Sequence, residues 1–408
     1  MPFFDSGIHF LGFEEHCIYG SLSSVTTLEL DRVPRIVQGA GALATLGTLL
    51  RGIVKSGSHI LLVVDPGLRA SGITESAASA VRSADLGVTV LEDIKSDPTM
   101  AQADAAAAIA RRERATAVVA IGGGSALDVG KTVAAIAGAP ACAEHYGLCA
   151  NPFPIARLVN VCVPTTSGTG SETTRTAVLT DAKGTKVWLW GSEMKADVVL
   201  LDPVLTTGLP AALTAATGID ALVHAIEAST NRNAHAANDM YCHEAIRLVA
   251  RHLRRAVEAP HDLEARAGMQ WAATYAGIGI DNCGTAVAHN IGHALASLRP
   301  IHHGRAVGVA LRATLEWSIH DDDGRNAAAA AAMGAGADAR ALPSAFDRLL
   351  RAVGIKVCLS GEGHDGITPQ QLATQMARPE NEAMRRSNRR PIRDEDLLEL
   401  ATRTLTQQ

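Results

Sequence analysis

The strongest constraint on the fold is an alternation of apolar runs and helical patterns that begins near Val33. A buried-strand run at 59–65 and a second run at 116–125, which enters a glycine-rich turn, are each followed by a helical stretch. Strands that alternate with helices are joined by crossover connections, so such a segment predicts a parallel sheet covered by helices. The N-terminal half is therefore expected to be an α/β domain.

The pattern changes after about Pro203, where long segments carry apolar residues at helical spacing and strand-like runs become scarce. The chain has 408 residues, more than a single hydrophobic core usually holds, and 47% of them are hydrophobic. We predict an α/β domain over residues 1–204 and an all-helical domain over 205–408. Residues 1–27 lack a clear period and are interpreted as an N-terminal extension that could pack on a partner subunit.

Composition argues against several classes of partner. A net charge of -5 gives no electrostatic reason to expect nucleic acid or an anionic membrane. No apolar run approaches the roughly 20 residues that span a bilayer, and the N-terminus lacks the basic segment of a signal peptide. The seven cysteines are scattered and odd in number, and no two of them form a CxxC pair. We therefore expect a cytoplasmic protein with reduced thiols.

Two glycine-rich turns in the α/β half have the form of nucleotide-binding segments. The glycine turn, residues 122–125 in AIGGGSALDVGK, ends a strand and opens a helix, where backbone N–H groups can meet a pyrophosphate. A tight strand–helix turn without a ligand fits that segment equally well. The second turn, residues 163–174 (VPTTSGTGSETT), offers many hydroxyl groups. Asp65 ends an earlier strand, where a carboxylate can bind a ribose 2′-hydroxyl and repel a 2′-phosphate. Together these features favour nucleotide binding.

Five residues of the helical half are candidates for binding one divalent metal. Asp220 and His224 are four apart, as are His289 and His293, so each pair shares one face of a helix. His303 follows ten residues after His293. One carboxylate with several imidazoles suits a first-row metal such as Fe²⁺ or Zn²⁺. The pattern predicts a metal centre.

Taken in order, these segments resemble the iron-containing (group III) alcohol dehydrogenases. The resemblance is carried by GGGSALDVGK, PTTSGTGSE, LPAALTAATGIDALVHAIEA and HNIGHALASLRPIHHG, and NRRPIRDEDLLELA looks like a variant of the family's C-terminal NPRP segment. It covers roughly residues 33–400. It implies an N-terminal dinucleotide-binding domain, a C-terminal metal-binding domain of helices, and an active site in the cleft between them.

The resemblance also implies roles for single residues. The metal ligands would be Asp220, His224, His289 and His303, because the family ends the last loop in Pro-His-Gly and His303 precedes Gly304. His302 then stands in the proline's place. His293 aligns with a histidine near the nicotinamide and substrate, and it could pass a proton to solvent. The positions matched to nucleotide contacts are Asp65, Asp97, Gly122, Gly123, Gly124, Ser125, Asp128, Thr165, Thr166, Thr169, Thr174 and Lys186.

The activity implied is reversible hydride transfer between NAD(H) and a small alcohol or aldehyde, with Fe²⁺, or alternatively Zn²⁺, as a Lewis acid. A homodimer or higher homo-oligomer is expected. Arg299 and Thr176 depart from the residues that relatives often carry near the substrate. A guanidinium beside the metal would favour an anionic aldehyde that carries a carboxylate or phosphonate.

Other functions on the same architecture remain alternatives. A metal-independent reductase of the maleylacetate type would lack metal ligands, whereas all four positions are filled here. The sugar-phosphate cyclases related to dehydroquinate synthase, which are lyases, are expected to carry a different ligand set and more phosphate-binding basic residues. Relatives of glycerol dehydrogenase typically use three protein ligands. A catalytically silent binding protein is a further alternative, which detection of bound metal would argue against.

Overall fold

The computed structural model describes residues 28–319, 323–361 and 363–407. The predicted N-terminal extension over residues 1–27 lies outside the described residues, and its packing on a partner stays a prediction. Within the described residues, no helix combines the length and the apolar character needed to cross a bilayer.

A parallel sheet forms the centre of the first half, with its six strands in the order β1-β8-β5-β4-β2-β3. Those strands are β1 (Arg35–Gln38), β2 (His59–Val64), β3 (Gly87–Leu91), β4 (Ala115–Gly122), β5 (Val159–Pro164) and β8 (Val198–Leu201). The two runs predicted at 59–65 and 116–125 form β2 and β4, neighbours in the sheet. The predicted α/β class is confirmed.

Helices cover both faces of this sheet: α1 (Leu46–Arg51), α2 (Ile73–Arg82), α3 (Met100–Arg112) and α4 (Gly124–Ile136). Successive residues of β2 point into opposite cores, since Leu62 packs with Leu46 and Val81 on one side. Leu61 packs with Ala107 and Val129 on the other side. Full burial on both faces explains why the strand reads as an unbroken apolar run rather than an alternating one.

A separate antiparallel hairpin follows the second turn. It consists of β6 (Thr176–Thr180) and β7 (Lys186–Trp190), which pair from Thr176 with Trp190 to Thr180 with Lys186. Ala177 and Leu189 are fully buried and belong to the core that α3 and α4 share. The hairpin is thereby fixed to the sheet domain by its apolar face.

From Ala211 onward the described residues form helices. They are α5 (Ala211–Thr230), α6 (Ala236–Glu258), α7 (Leu263–Cys283), α8 (Val287–Leu298), α9 (His303–Ser318), α10 (Arg325–Ala332), α11 (Ala341–Ala352), α12 (Pro369–Met376), α13 (Glu382–Ser387) and α14 (Asp394–Leu405). Helix α5 is buried on all sides between Thr214 and Ser229, so it forms the axis of this half. Its many small residues let neighbouring helices approach closely.

Helix α7 connects the two halves. Trp271 donates its indole N–H to Oε1 of Gln38 in β1 at 2.6 Å, and Nε2 of Gln38 donates to the carbonyl of Ala267. Further along, Asp281 accepts the backbone N–H of Arg175 at 2.7 Å. The bonds of Gln38 join β1 to α7, and the bond of Arg175 joins the segment between the second turn and the hairpin to the same helix.

Candidate metal centre and active site

Three helices carry the predicted metal ligands. Asp220 and His224 lie one turn apart on the buried axis helix α5, His289 lies in the first turn of α8, and His303 is the first residue of α9. Close contact of α9 with α5 requires Gly304, since a Cβ there would lie 2.0 Å from the carbonyl oxygen of Ala216. The glycine after His303 thus lets that histidine approach Asp220.

Each of these four residues presents one ligand atom to a common point, and all four atoms lie within 4.8 Å of one another. Oδ1 of Asp220 is 3.7 Å from Nε2 of His224, 3.8 Å from Nε2 of His289 and 3.5 Å from Nε2 of His303. These separations are too long for hydrogen bonds. They suit four groups arranged around a metal, whose bonds to N and O ligands are about 2.0–2.2 Å long for zinc.

Two buried atoms at this point have no hydrogen-bond partner among the described residues: Oδ1 of Asp220 and Nε2 of His289. An unpaired buried polar atom is costly, roughly 1–3 kcal/mol for a neutral group and more for a charged one. A cation would satisfy both atoms at once. The residues therefore fit the divalent metal that the sequence predicted.

Glu227 is a residue of this site that the sequence analysis missed. Its buried carboxylate accepts Nδ1–H of His289 at 2.6 Å and the backbone N–H groups of Ala286 and Ala288 at 2.9 and 2.6 Å. Nδ1 of His289 thus donates, and its Nε2 faces the metal position. Glu227 lies three residues after His224 on the same helix, and that spacing was the signal that could have identified it.

The four groups shift one another's pKa values. Burial alone would raise the pKa of Asp220, but the surrounding imidazoles outweigh burial and hold it far below its usual range. Burial would lower the pKa of His289, yet Glu227 and Asp220 outweigh that effect and raise it to about 9. Desolvation of the half-buried His303, together with the neighbouring imidazoles, outweighs the opposing effect of Asp220 and lowers the pKa of His303 to about 4. Asp220 is thus anionic and ready to bind a cation.

The fifth candidate, His293, lies beside the cluster rather than in it. Its ring centroid is 5.4 Å from that of His303 and 6.2 Å from that of His289. Burial, the two imidazoles and Lys186 hold the pKa of His293 well below its usual value, so the ring is neutral at pH 7. His302 is exposed just before α9. Of the two histidines in the doublet, the structure therefore brings His303 to the centre.

The glycine turn lies at the end of β4, where the predicted nucleotide residues begin to meet. The backbone N–H of Asp65, at the end of β2, donates to the carbonyl of Ile121, and Asp65 accepts the N–H of Gly67. Ser125, in the first turn of α4, donates to the carbonyl of Ser96 at 2.5 Å. Asp65 and the glycine turn thus lie together at the carboxyl edge of the sheet, where ligands bind in open α/β folds.

The second turn lies between the glycine turn and the metal cluster. Thr165 donates its N–H to the carbonyl of Gly122 at 2.9 Å, and a Cβ on Gly124 would lie 2.9 Å from Cγ2 of Thr169. On the other side, Nδ1 of His224 lies 3.4 Å from the carbonyl oxygen of Gly168. A nucleotide bound at the glycine turn would therefore extend along the second turn toward the metal.

The remaining predicted residues are placed around this path. Lys186, the first residue of β7, forms an exposed ion pair with Asp97 at 2.7 Å. Its positive charge is one of the causes that lower the pKa of His293. Thr166 lies beside Gly123. Asp128, Thr174 and Thr176 lie around the ammonium group of Lys131, which donates to Thr174 and Thr176 and lies 3.5 Å from Oδ1 of Asp128. Arg299 directly follows α8 in an exposed position, and its Nη1 donates to the carbonyl of Leu298.

Comparisons with known proteins place this arrangement in a family. Residues 34–203 match the model described as iron-containing alcohol dehydrogenase, and residues 214–405 match the model described as Fe-containing alcohol dehydrogenase family, C-terminal. The NAD-dependent methanol dehydrogenase of Bacillus methanolicus is 34% identical over 273 residues, 66% of this chain and 71% of that protein. The sulfoacetaldehyde reductase of Bilophila wadsworthia is 33% identical over 277 residues, 67% of this chain and 70% of that protein.

Solved structures agree over nearly the whole chain. A crystal structure of 1,3-propanediol oxidoreductase matches with a TM-score of 0.84 and 30% identity over 93% of this chain and 100% of that one. The sulfoacetaldehyde reductase from Bifidobacterium kashiwanohense, in complex with NAD⁺, matches with a TM-score of 0.86 and 27% identity over 94% of this chain and 100% of that one. The chain therefore belongs to the iron-containing alcohol dehydrogenase family, as its motifs predicted, and is an NAD-dependent oxidoreductase.

Proposed function

We propose that this protein interconverts a small alcohol and its aldehyde with NAD(H), using one divalent metal held by Asp220, His224, His289 and His303. Fe²⁺ is the proposed ion, with Zn²⁺ as the alternative that the same ligand types accept. The observation that carries the proposal is the cluster of four ligand atoms within 4.8 Å, two of which are buried and unpaired. When bound, the metal polarises the substrate oxygen, and NAD(H) accepts or donates the hydride.

The protein's own residues would arrange the reactants. Glycine-turn N–H groups at the start of α4 would bind the pyrophosphate. The second turn would place the nicotinamide beside the metal, because it contacts both the glycine turn and His224. His293, a neutral imidazole beside His303, would take the alcohol proton and pass it to solvent. Asp65 would bind the ribose 2′-hydroxyl, which selects NAD over NADP.

We propose an anionic aldehyde as the substrate class, since Arg299 lies exposed at the end of α8, four residues before His303. An exposed guanidinium can give two parallel donors to a carboxylate, sulfonate or phosphonate. Two of the relatives bear the name sulfoacetaldehyde reductase, which denotes an aldehyde with a sulfonate. Thr176 is proposed to lie on the same side of the substrate.

The test is NADH oxidation with matched neutral and anionic aldehydes, by metal-stripped protein and by protein reloaded with Fe²⁺ or Zn²⁺. We expect activity to return with metal, and full activity of the stripped protein would refute the metal centre. Arg299→Ala should raise KM for the anionic aldehyde about tenfold or more while KM for the neutral one stays within twofold. Arg82→Ala, a surface arginine of α2, is the matched control. Equal KM changes for both aldehydes would refute the role of Arg299 alone.

A cytoplasmic homodimer or higher homo-oligomer completes the proposal. The described cysteines are free thiols, which fits a reducing compartment. Sedimentation velocity would measure the oligomeric state, and a monomer at all concentrations would contradict that part of the proposal.

A further inference from the structure

A buried cation lies directly beneath the second turn. Lys131 projects from α4 with a side chain that is 0% exposed. Its Nζ donates to the carbonyls of Ser171 at 2.8 Å and Thr174 at 3.2 Å, to the hydroxyl of Thr174 at 3.1 Å, and to the carbonyl of Thr176. All its hydrogen bonds therefore hold the second turn and the first residue of the hairpin.

Asp128, one turn earlier on α4, also binds this segment. Its Oδ1 accepts the hydroxyl of Ser171 at 2.5 Å, and its Oδ2 accepts the backbone N–H of Val178 in β6 at 2.9 Å. Oδ1 also lies 3.5 Å from Nζ of Lys131. The carboxylate is thus occupied by protein donors, although the family resemblance matched Asp128 to a nucleotide contact.

Burying an ammonium group is strongly unfavourable unless hydrogen-bond partners compensate for the lost hydration. An apolar side chain could fill the same space, but it would leave inward-facing carbonyls of Ser171, Thr174 and Thr176 without a donor. The lysine thus sets the path of the chain where the second turn passes into β6. That path matters because the same turn contacts the glycine turn at Gly122 and the metal cluster at His224.

We propose that Asp128 and Lys131 are positioning residues that hold the second turn and the hairpin so that the nicotinamide half of NAD(H) faces the metal centre. This inference rests on the proposed nucleotide site. The adenosine and pyrophosphate half would be held by the glycine turn and Asp65, which make their own contacts with the sheet. The pair should therefore affect the nicotinamide half and leave the other half bound as before.

The test is Lys131→Met, which keeps the length of the side chain and removes its donors, with the surface variant Lys55→Met as matched control. Binding of NADH is measured by its fluorescence on the protein, and binding of ADP-ribose, which lacks the nicotinamide, by calorimetry. We expect the Kd of NADH to rise about tenfold while that of ADP-ribose stays within twofold. The kcat per NADH-binding site should fall about 100-fold, the scale of a misplacement of about 1 Å.

A purely structural role would lower the folded fraction and leave kcat per binding site and both Kd values unchanged, which would overturn the proposal. Equal weakening of NADH and ADP-ribose would overturn it too. If Lys131→Met does not fold, Ser171→Ala removes one donor to Asp128 without changing charge. It should lower kcat per site about fivefold with ADP-ribose binding unchanged, and an unaltered kcat would refute the pair. If the unmodified protein binds neither NADH nor ADP-ribose, the proposed nucleotide site is wrong, and that failure is distinguishable from a failure of the role proposed for Asp128 and Lys131.

Discussion

Glu227 offers the most direct test of how the protein holds its metal ligands. Glu227→Gln preserves shape, but an amide has one acceptor oxygen where the carboxylate has two. Its oxygen can stay opposite Nδ1 of His289 and the N–H of Ala286, and its NH₂ then faces the N–H of Ala288, which donates to the carboxylate at 2.6 Å. The hydrogen bond from Ala288 to a charged acceptor is lost, and the hydrogen bond from His289 then has a neutral acceptor. Each such bond contributes roughly 1.5–3 kcal/mol.

Part of that loss appears as weaker metal binding, since His289 loses the partner that orients it. We expect the Kd for Zn²⁺ to rise about 10- to 100-fold, the usual cost of removing a carboxylate behind a histidine ligand. That range corresponds to about 1.4–2.8 kcal/mol. Competition with a chromophoric chelator measures the Kd, and thermal unfolding with and without metal measures the corresponding loss of stabilisation.

The matched control for this prediction is Glu258→Gln, an exposed residue of α6 whose partner is Arg254. It should leave the Kd for Zn²⁺ unchanged. If Glu227→Gln binds Zn²⁺ within threefold of the unmodified protein, the carboxylate does not orient His289, and the argument from these hydrogen bonds fails.

Two further predictions concern the proton on His289, and a third concerns Asp65. Because the pKa of His289 is raised to about 9, its imidazole is protonated in the metal-free protein at neutral pH. We expect binding of one metal ion to release about one proton, which calorimetry in two buffers of different ionisation enthalpy measures, and the absence of proton release would contradict this. The same raised pKa stabilises the metal-free protein, and this contribution is fully present below about pH 6.5 and is lost as pH rises through about 9. Denaturant unfolding should show the free energy of unfolding fall over that range, and a rise would be evidence against the prediction. Asp65→Ser should lower the ratio of kcat/KM for NADH to kcat/KM for NADPH about tenfold or more, because no carboxylate then repels the 2′-phosphate of NADPH. An unchanged ratio would show that Asp65 does not face the ribose.

Local patterns predicted the sheet well because burial on both faces of β2 and β4 appears in the sequence as unbroken apolar runs. The pairing of β6 with β7 was not predicted. Each of these strands has five residues, and their pairing depends on the core they share with α3 and α4 rather than on their own periodicity. The charges beneath the second turn were equally hidden, because the sequence shows Lys131 as one polar residue in a helix and gives no sign that it is buried.

By itself, the sequence determined the α/β class of the first half, the helical character of the second, and the presence of a carboxylate and imidazoles at helical spacing. Spacing specifies which residues share a face of a helix, but not which other helix that face meets. The tertiary structure decided that His289 and His303 join Asp220 and His224, that His293 lies beside them, and that Glu227 holds His289. These contacts form between residues far apart in the chain, and the depth of burial that makes Oδ1 of Asp220 an unpaired anion exists in the folded protein alone.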